Sequence, residues 1–512
     1  MAVLAGPWPR LGLVAAAAFA AMAILARTDE RRAWAMLGAL VLAPVLLLDD
    51  VWRSPQFAFV HHHPLLALVG AAVALAVLAA AAYGIHRIPW VTAPLTALTV
   101  PFRVPIASGG TTNNLLVPLY FVIAAAALSW LVPVLWRART GRGSPTAAPV
   151  TRPPRLLFEK LLAAYIVLYA LQSLYSPATG APPGFVKALQ NEVFFYVPFA
   201  VLLARLRDLH WDRRLLLRCL QVTIALAVAF SLVGYVEEAT RQLILSSKLV
   251  LSNSLHEYFT VNSVFFDPNI FGRYLALVMV LVAAVLLYDR RVRVQLGSLG
   301  VLAILWTCLV FTLSRSSLVA LALGLAVLAA MRWRARPVIY LGVVAVIAGG
   351  AVALTHPATF GLESFQLASG GRANLITGGI KLFTDRPLTG FGSGAFTTEY
   401  KHYFPRAASA VSDSHNIAIT IAAEQGIVGE LLYLALLVAA AVALFRGARG
   451  DPYRIAVAAA LVGLVAHTML YADFLEDPVT WTLLAVGGSL AAAAAARAAV
   501  DRDGSPRLRA VT

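Results

Sequence analysis

Cysteine is almost missing from this chain: two residues in 512, Cys219 and Cys308, both inside apolar runs. Two such residues build neither a disulfide framework nor a zinc site. Charge is scarce too, at 13% of residues, where soluble chains carry about 25%. Acids are the rarer sign, 25 Asp and Glu against 41 Lys and Arg. Hydrophobic residues fill 60% of the chain and mean hydropathy is +0.78, which excludes an ordinary soluble domain and points to an integral membrane protein. A net charge of +16 suggests nucleic acid in a soluble chain, but no basic run here is interleaved with aromatics as a nucleic-acid channel requires. The excess arginine fits the charge bias that fixes membrane topology. An internal repeat is also lacking, which argues against the commonest transporter architectures. So is any domain for a nucleotide sugar.

What is present is a series of apolar runs, about 14 from Leu11–Ala26 to Val479–Ala496, most near the ~20 residues that a spanning helix needs. Continuous apolar runs mean helices, because lipid leaves no water for an unpaired backbone. The expected fold is an all-α polytopic membrane protein of about 12–14 spans. The proline-broken stretch Ile88–Phe102 is either re-entrant or a further span. Arginine clusters at 137–155, 205–218, 290–293, 332–336, 446–454 and 497–509 fall in alternate loops, which the positive-inside rule makes cytoplasmic. The intervening loops then face outward. The division is a helical region over 1–355, a large extracytoplasmic segment over 356–426 bearing the chemistry, a second helical region over 427–498 and a basic cytoplasmic tail over 499–512.

The polar segment from His356 to Gly426 is the longest interruption in this apolar chain. Arg315, in Ser314-Arg315-Ser316 between two apolar runs, lies on the outer side against the general charge bias. Its guanidinium either snorkels to the headgroups or serves a site. Arg372 opens an amphipathic helix through Leu375, Ile380 and Phe383. Two outward arginines suit a phosphate or diphosphate, whose oxygens match the guanidinium fork, and Lys381 adds a point charge. The run Asp385-Arg386-Pro387-Leu388-Thr389-Gly390-Phe391-Gly392-Ser393-Gly394 looks like a phosphate loop. No strand precedes it, so its glycines read as backbone geometry. Asp413 or Ser414 is the expected N-cap of the next helix, which puts His415 at a helix N-terminus. Such a position favours anions and keeps an imidazole neutral enough to act as a base; the alternative is an incidental histidine beside a structural cap. Asp267-Pro268-Asn269 starts a span as an ordinary helix opening or as a pair orienting a substrate hydroxyl. Arg273, one turn on, needs a partner, Asp267 or Glu430. His61-His62-His63 cannot all face one ion from a regular element, and no metal or other cofactor is expected.

In this order, the Ser-Arg between adjacent spans, the Arg that opens the polar segment, Arg-Pro-Leu-Thr-Gly-Phe-Gly, and His415-Asn416 followed by Glu424-Gln425-Gly426 resemble the O-antigen ligase/polymerase family of bacterial membrane glycosyltransferases, a GT-C-like group. Asp267-Pro268-Asn269 fits as well. The resemblance covers roughly Phe265 to Gly429. It implies a metal-independent enzyme of the plasma (inner) membrane. Such an enzyme moves a glycan from a polyprenyl-diphosphate-linked donor to a glycan or lipid-anchored acceptor at the outer face, in surface polysaccharide biosynthesis. Arg315 and Arg372 would bind the diphosphate and His415 would activate the acceptor hydroxyl. Asp267, Asn269, Lys381, Asn416 and Glu424 would contact substrate. Membrane lipid is the surrounding partner. The rival reading is a polytopic transporter of a small anion or glycan, with the arginines as selectivity elements.

Overall fold

A computed structural model of the protein describes residues 7–52, 58–108, 111–140, 155–177, 184–245, 253, 259–333, 336, 372–405 and 414–503. The run Val338–Leu354, His356 and Asp413 lie outside these residues. Apart from one antiparallel β-hairpin, Val104–Ser108 with Thr111–Leu115, the described structure is helical. Eleven of the described helices are long and apolar enough to cross a membrane. The first part comprises α1 (Pro7–Leu25), α2 (Asp29–Trp52), α3 (Ala58–His62), α4 (Pro64–Arg87), α5 (Thr92–Thr99) and α6 (Val117–Thr140). Next come α7 (Leu157–Gln172), α8 (Gly184–Asn191), α9 (Val197–Arg207) and α10 (Arg213–Thr240). A π-helical turn, Glu192–Tyr196, joins α8 to α9 in a single span, Gly184–Arg207, that starts well before Phe194. The last part holds α11 (Pro268–Tyr288), α12 (Val292–Phe311), α13 (Arg315–Arg332), α14 (Arg372–Asp385), α15 (Phe396–Tyr403), α16 (Ile417–Phe445), α17 (Pro452–Thr468) and α18 (Pro478–Asp503).

Ion pairs show which loops share an end of the bundle. Arg32 is fully buried and donates to both Asp208 carboxylate oxygens (2.7 and 2.9 Å) and to Ala204 O (2.5 Å). Arg205 reaches the same carboxylate at 2.9 Å, and Arg207 holds the buried Glu159 of α7 at 2.7 Å. These loops therefore gather at one end, the arginine-rich end. At the opposite end Arg10 donates to Leu174 O at 2.6 Å. The course of the Ile88–Phe102 stretch is marked by its neighbours on α10. The Arg218 guanidinium lies 4.2 Å over the Trp90 ring, near the start of α10, while Phe102 meets Phe230, past its middle, at 5.7 Å. The stretch thus runs along α10 from the arginine-rich end toward the opposite one.

Helix α16 begins at Ile417, just after the cap expected at Asp413 or Ser414 and ten residues before the apolar region that starts at 427, and breaks at Gly426 (φ +64°). A helix break leaves amides and carbonyls that lipid cannot satisfy. The turn at 386–394 satisfies them: Phe391 N donates to Ala423 O (3.1 Å), Gly392 N to Glu424 O (2.7 Å), and Ile427 N to Pro387 O (2.8 Å). The close approach needs glycine on both sides. Gly390 and Gly426 adopt positive φ, and a Cβ on either would collide with the backbone of the other segment.

Candidate functional site

Helices α11, α13, α14 and α16 all begin at the end opposite the arginine-rich one. Their N-termini carry the residues singled out above. A helix N-terminus presents unpaired amides and the positive end of the dipole, so four of them make an anion-friendly rim. Asp267 caps α11, its Oδ1 accepting from Asn269 N at 2.6 Å. Ser314 precedes α13 and donates to Asn269 Oδ1 at 2.9 Å. Ser314 also pairs with Ser317 (2.7 Å), and Ser316 pairs with His467 Nε2 at 3.1 Å. This buried hydroxyl network fixes the turn from which the exposed Arg315 projects.

The N-cap of α16 is Asn416, not Asp413 or Ser414. Its Oδ1 accepts from Ile419 N at 3.1 Å. Ser414 instead braces the cap, accepting from Asn416 N (3.1 Å) and pairing with Thr420 Oγ1 (2.7 Å). Between them His415 is held at φ +56°, a left-handed conformation that costs a non-glycine residue about 1–2 kcal/mol. Two flanking side-chain braces and a hydrogen bond from His415 to the Tyr471 backbone keep it there. Its Nδ1 is buried without a partner. Burial first, and the Arg372 charge second, hold the imidazole below its ordinary range, against the opposite pull of Asp473 and Asp267. The expected neutrality therefore has burial as its main cause, ahead of any helix-end effect.

Three consecutive residues after α17 tie these motifs together. Met469 O accepts from Asn416 Nδ2 (2.9 Å) and Leu470 O from the Arg372 guanidinium (2.9 Å). The Tyr471 hydroxyl donates to Asp267 Oδ2 (2.8 Å), and its ring lies 5.9 Å from that of His415 and 5.5 Å from that of His467. Motifs from three distant parts of the chain thus meet on one short segment. That segment and His467 do not figure among the candidates drawn from the sequence. The available signal was compositional: Asp473, Glu476 and Asp477 crowd one short outward loop in a chain poor in acids.

The other candidates fall elsewhere or serve the frame. Arg273 pairs with Asp477 at 2.6 Å, both buried, and neither Asp267 nor Glu430 is its partner. Lys381 is nine residues from Arg372, which at 3.6 residues per turn puts it on the opposite face of α14. There it pairs with Asp385 at 2.7 Å, away from the Arg372 side. Glu424 is buried and accepts from Gly394 N (2.8 Å) and Phe396 N (3.0 Å). The glycine turn is thus an anion nest whose anion is this protein's own carboxylate. Beside the site, Tyr169, Asn191, Tyr196, Asp473 and Glu476 border a recess of about 40 Å³, large enough for a water or a hydroxyl. Burial and the neighbouring Asp473 push the Glu476 carboxyl up to about 7, and Tyr196 donates to it at 2.8 Å. Among the described residues no group of His, Cys, Asp or Glu is arranged to hold a metal ion.

Residues 299–434 match the family model described as O-antigen ligase, which supports assigning the chain to that family. The matched stretch contains Arg315, Arg372, His415 and Glu424; Asp267, Asn269 and the 469–471 segment lie outside it. No curated protein matches the chain. The family match and the apolar helices together support a glycosyltransferase-like role at a membrane.

Proposed function

We propose that this protein transfers a glycan from a polyprenyl-diphosphate-linked donor to a hydroxyl of a glycan or lipid-anchored acceptor, on the extracytoplasmic face of the plasma membrane. The observation that carries the reading is the meeting of Arg372, Asn416 and Asp267 on residues 469–471, with His415 beside Tyr471. The positive-inside rule makes the arginine-rich end cytoplasmic, so this site faces outward, where surface polysaccharide is assembled.

The proposed chemistry follows from the side chains. Arg315 and Arg372 hold the diphosphate, and their fixed charges stabilise the negative charge that grows on it as the glycosidic C–O bond breaks. Arg372 suits this role because its bond goes to a carbonyl, which satisfies one donor without cancelling the charge. The acceptor oxygen attacks the anomeric carbon and its proton passes to His415, kept neutral by burial and by Arg372. The bonding electrons leave with the diphosphate, and the guanidiniums supply the neutralisation that a metal supplies in other transferases. Asp267, Asn269 and Asn416 hold the frame through their caps and cross-bonds.

Glycan profiling of a deletion strain tests this reading. Full-length chains left unattached indicate a ligase, and loss of chain length indicates a polymerase. An unchanged glycan with altered solute uptake overturns the proposal in favour of transport. Sidedness has its own check: a cysteine at the exposed position 402 reacts with an impermeant maleimide on intact cells, and one at the exposed position 291 does not.

A further inference from the structure

A large cavity in the described structure lies away from the site above. It is a slot of about 910 Å³ between α5, α10, α11, α12, α17 and α18, near the top of the about 300–1,000 Å³ range of ligand pockets. Its walls are apolar, with Leu216, Leu220, Leu281, Val285, Val301 and Leu483 among them. Along α11 the lining runs from Tyr274 to Asp289, about 22 Å at the helical rise. Small residues keep it open: Gly297 and Ser298 line it on α12, and a Cβ on Gly297 would meet nothing within 4 Å.

The two ends of the slot differ in charge. At the arginine-rich end the lining includes Arg213, Arg291, Trp211, Tyr288 and Tyr453, with the Arg332 guanidinium 5.6 Å over the Tyr288 ring. Arg214, Arg290 and Arg293 follow in the same loops, against Asp289, paired with Arg291 at 2.6 Å, and Asp212, which caps α10. Positive charge is in clear excess there. At the far end the small adjoining recess is bordered by Arg273 and Asp477, already paired at 2.6 Å. An apolar volume left without partner atoms forfeits dispersion energy, so in a bilayer the slot is filled by lipid chains. Its basic, aromatic mouth selects the head group. The proposed donor carries its diphosphate at the opposite end, so the mouth's charge does not serve that lipid.

The geometry points to a binding site for an anionic phospholipid, its chains between α10, α11 and α12 and its phosphate at Arg213, with the Asp289-paired Arg291 beside it adding to the basic mouth. Basic pockets between membrane helices on the cytoplasmic side recognise anionic lipid heads in this way. The exclusion of the donor lipid rests on the proposed transfer site; the apolar slot and its basic mouth do not.

Native mass spectrometry of the purified full-length protein in mild detergent tests it, with dioleoyl phosphatidylglycerol and dioleoyl phosphatidylethanolamine as probes. The wild type should retain one phosphatidylglycerol against competing phosphatidylethanolamine. The exposed double substitution Arg213→Gln with Arg291→Gln should weaken phosphatidylglycerol binding about 20- to 30-fold, at about 1 kcal/mol per basic residue. Gly297→Phe should exclude both lipids while leaving the gel-filtration profile unchanged. Equal retention of the two lipids, displacement by polyprenyl phosphate, or wild-type binding in either variant would overturn the proposal.

Discussion

The buried arginines at one end of this bundle and Arg372 at the other are used in opposite ways. At the arginine-rich end, Arg32, Arg205 and Arg207 are buried and joined to Asp208 and Glu159 at 2.7–2.9 Å. At the other end Arg372 is partly exposed and its guanidinium is bonded to a carbonyl. Three acids of that end are engaged by the protein itself: Asp267 by Tyr471, Asp477 by Arg273 and Glu424 by backbone amides. Paired arginines lock helices together. An arginine whose charge is left standing at a rim of helix N-termini can recruit an anion from outside. The same residue type therefore marks scaffold where it is buried and paired, as at Arg32, Arg205, Arg207 and Arg273, and a candidate site where it is not, as at Arg372.

Substitutions sharpen this contrast, beginning with the largest effect. His415→Ala should lower transfer about 10²- to 10⁴-fold, the usual worth of a general base, with unaltered thermal unfolding; activity retained at neutral pH would move the base elsewhere. Arg207→Ala should do the reverse. It leaves the buried Glu159 with the Leu156 amide at 2.6 Å and Arg155 at 3.9 Å and should cost up to about 3 kcal/mol of stability, read as a lower unfolding midpoint, with the specific activity of the folded fraction kept. Tyr471→Phe removes one hydrogen bond to Asp267, worth about 0.5–1.5 kcal/mol, and should reduce kcat/KM roughly three- to ten-fold. Lys381→Ala should change transfer little, since Lys381 is exposed, paired with Asp385 and turned from Arg372; a loss comparable to that of His415→Ala would return it to the site.

The bundle was legible in the sequence because lipid enforces it: apolar runs and alternating arginine clusters are direct consequences of the solvent. His415, Arg315 and Arg372 were legible because charged or titratable groups beside apolar spans are costly and therefore conspicuous. The partners were not. Arg273 finds Asp477 more than 200 residues away, and no local pattern announces that pair. The cap at Asn416 was misplaced onto its neighbours because Ser414 is as good a capping residue and lies two positions away. Glu424 reads as a site acid until its two amide donors are seen. The 469–471 segment contributes two backbone carbonyls, which every residue possesses, so only the acids that follow it, Asp473, Glu476 and Asp477, mark the place in the sequence.

The pH dependence of kcat/KM in two variants, Arg372→Lys and Arg372→Gln, tests the central claim most directly. Arg372 lowers the His415 pKa, and a base works only above its pKa. Removing the charge should therefore raise that pKa and move the acid limb to higher pH in Arg372→Gln. Arg372→Lys, which keeps the charge, should leave the limb near its wild-type position at a reduced rate. An acid limb at the same pH in both variants and the wild type would contradict the account, because Arg372 and His415 would then not share one site.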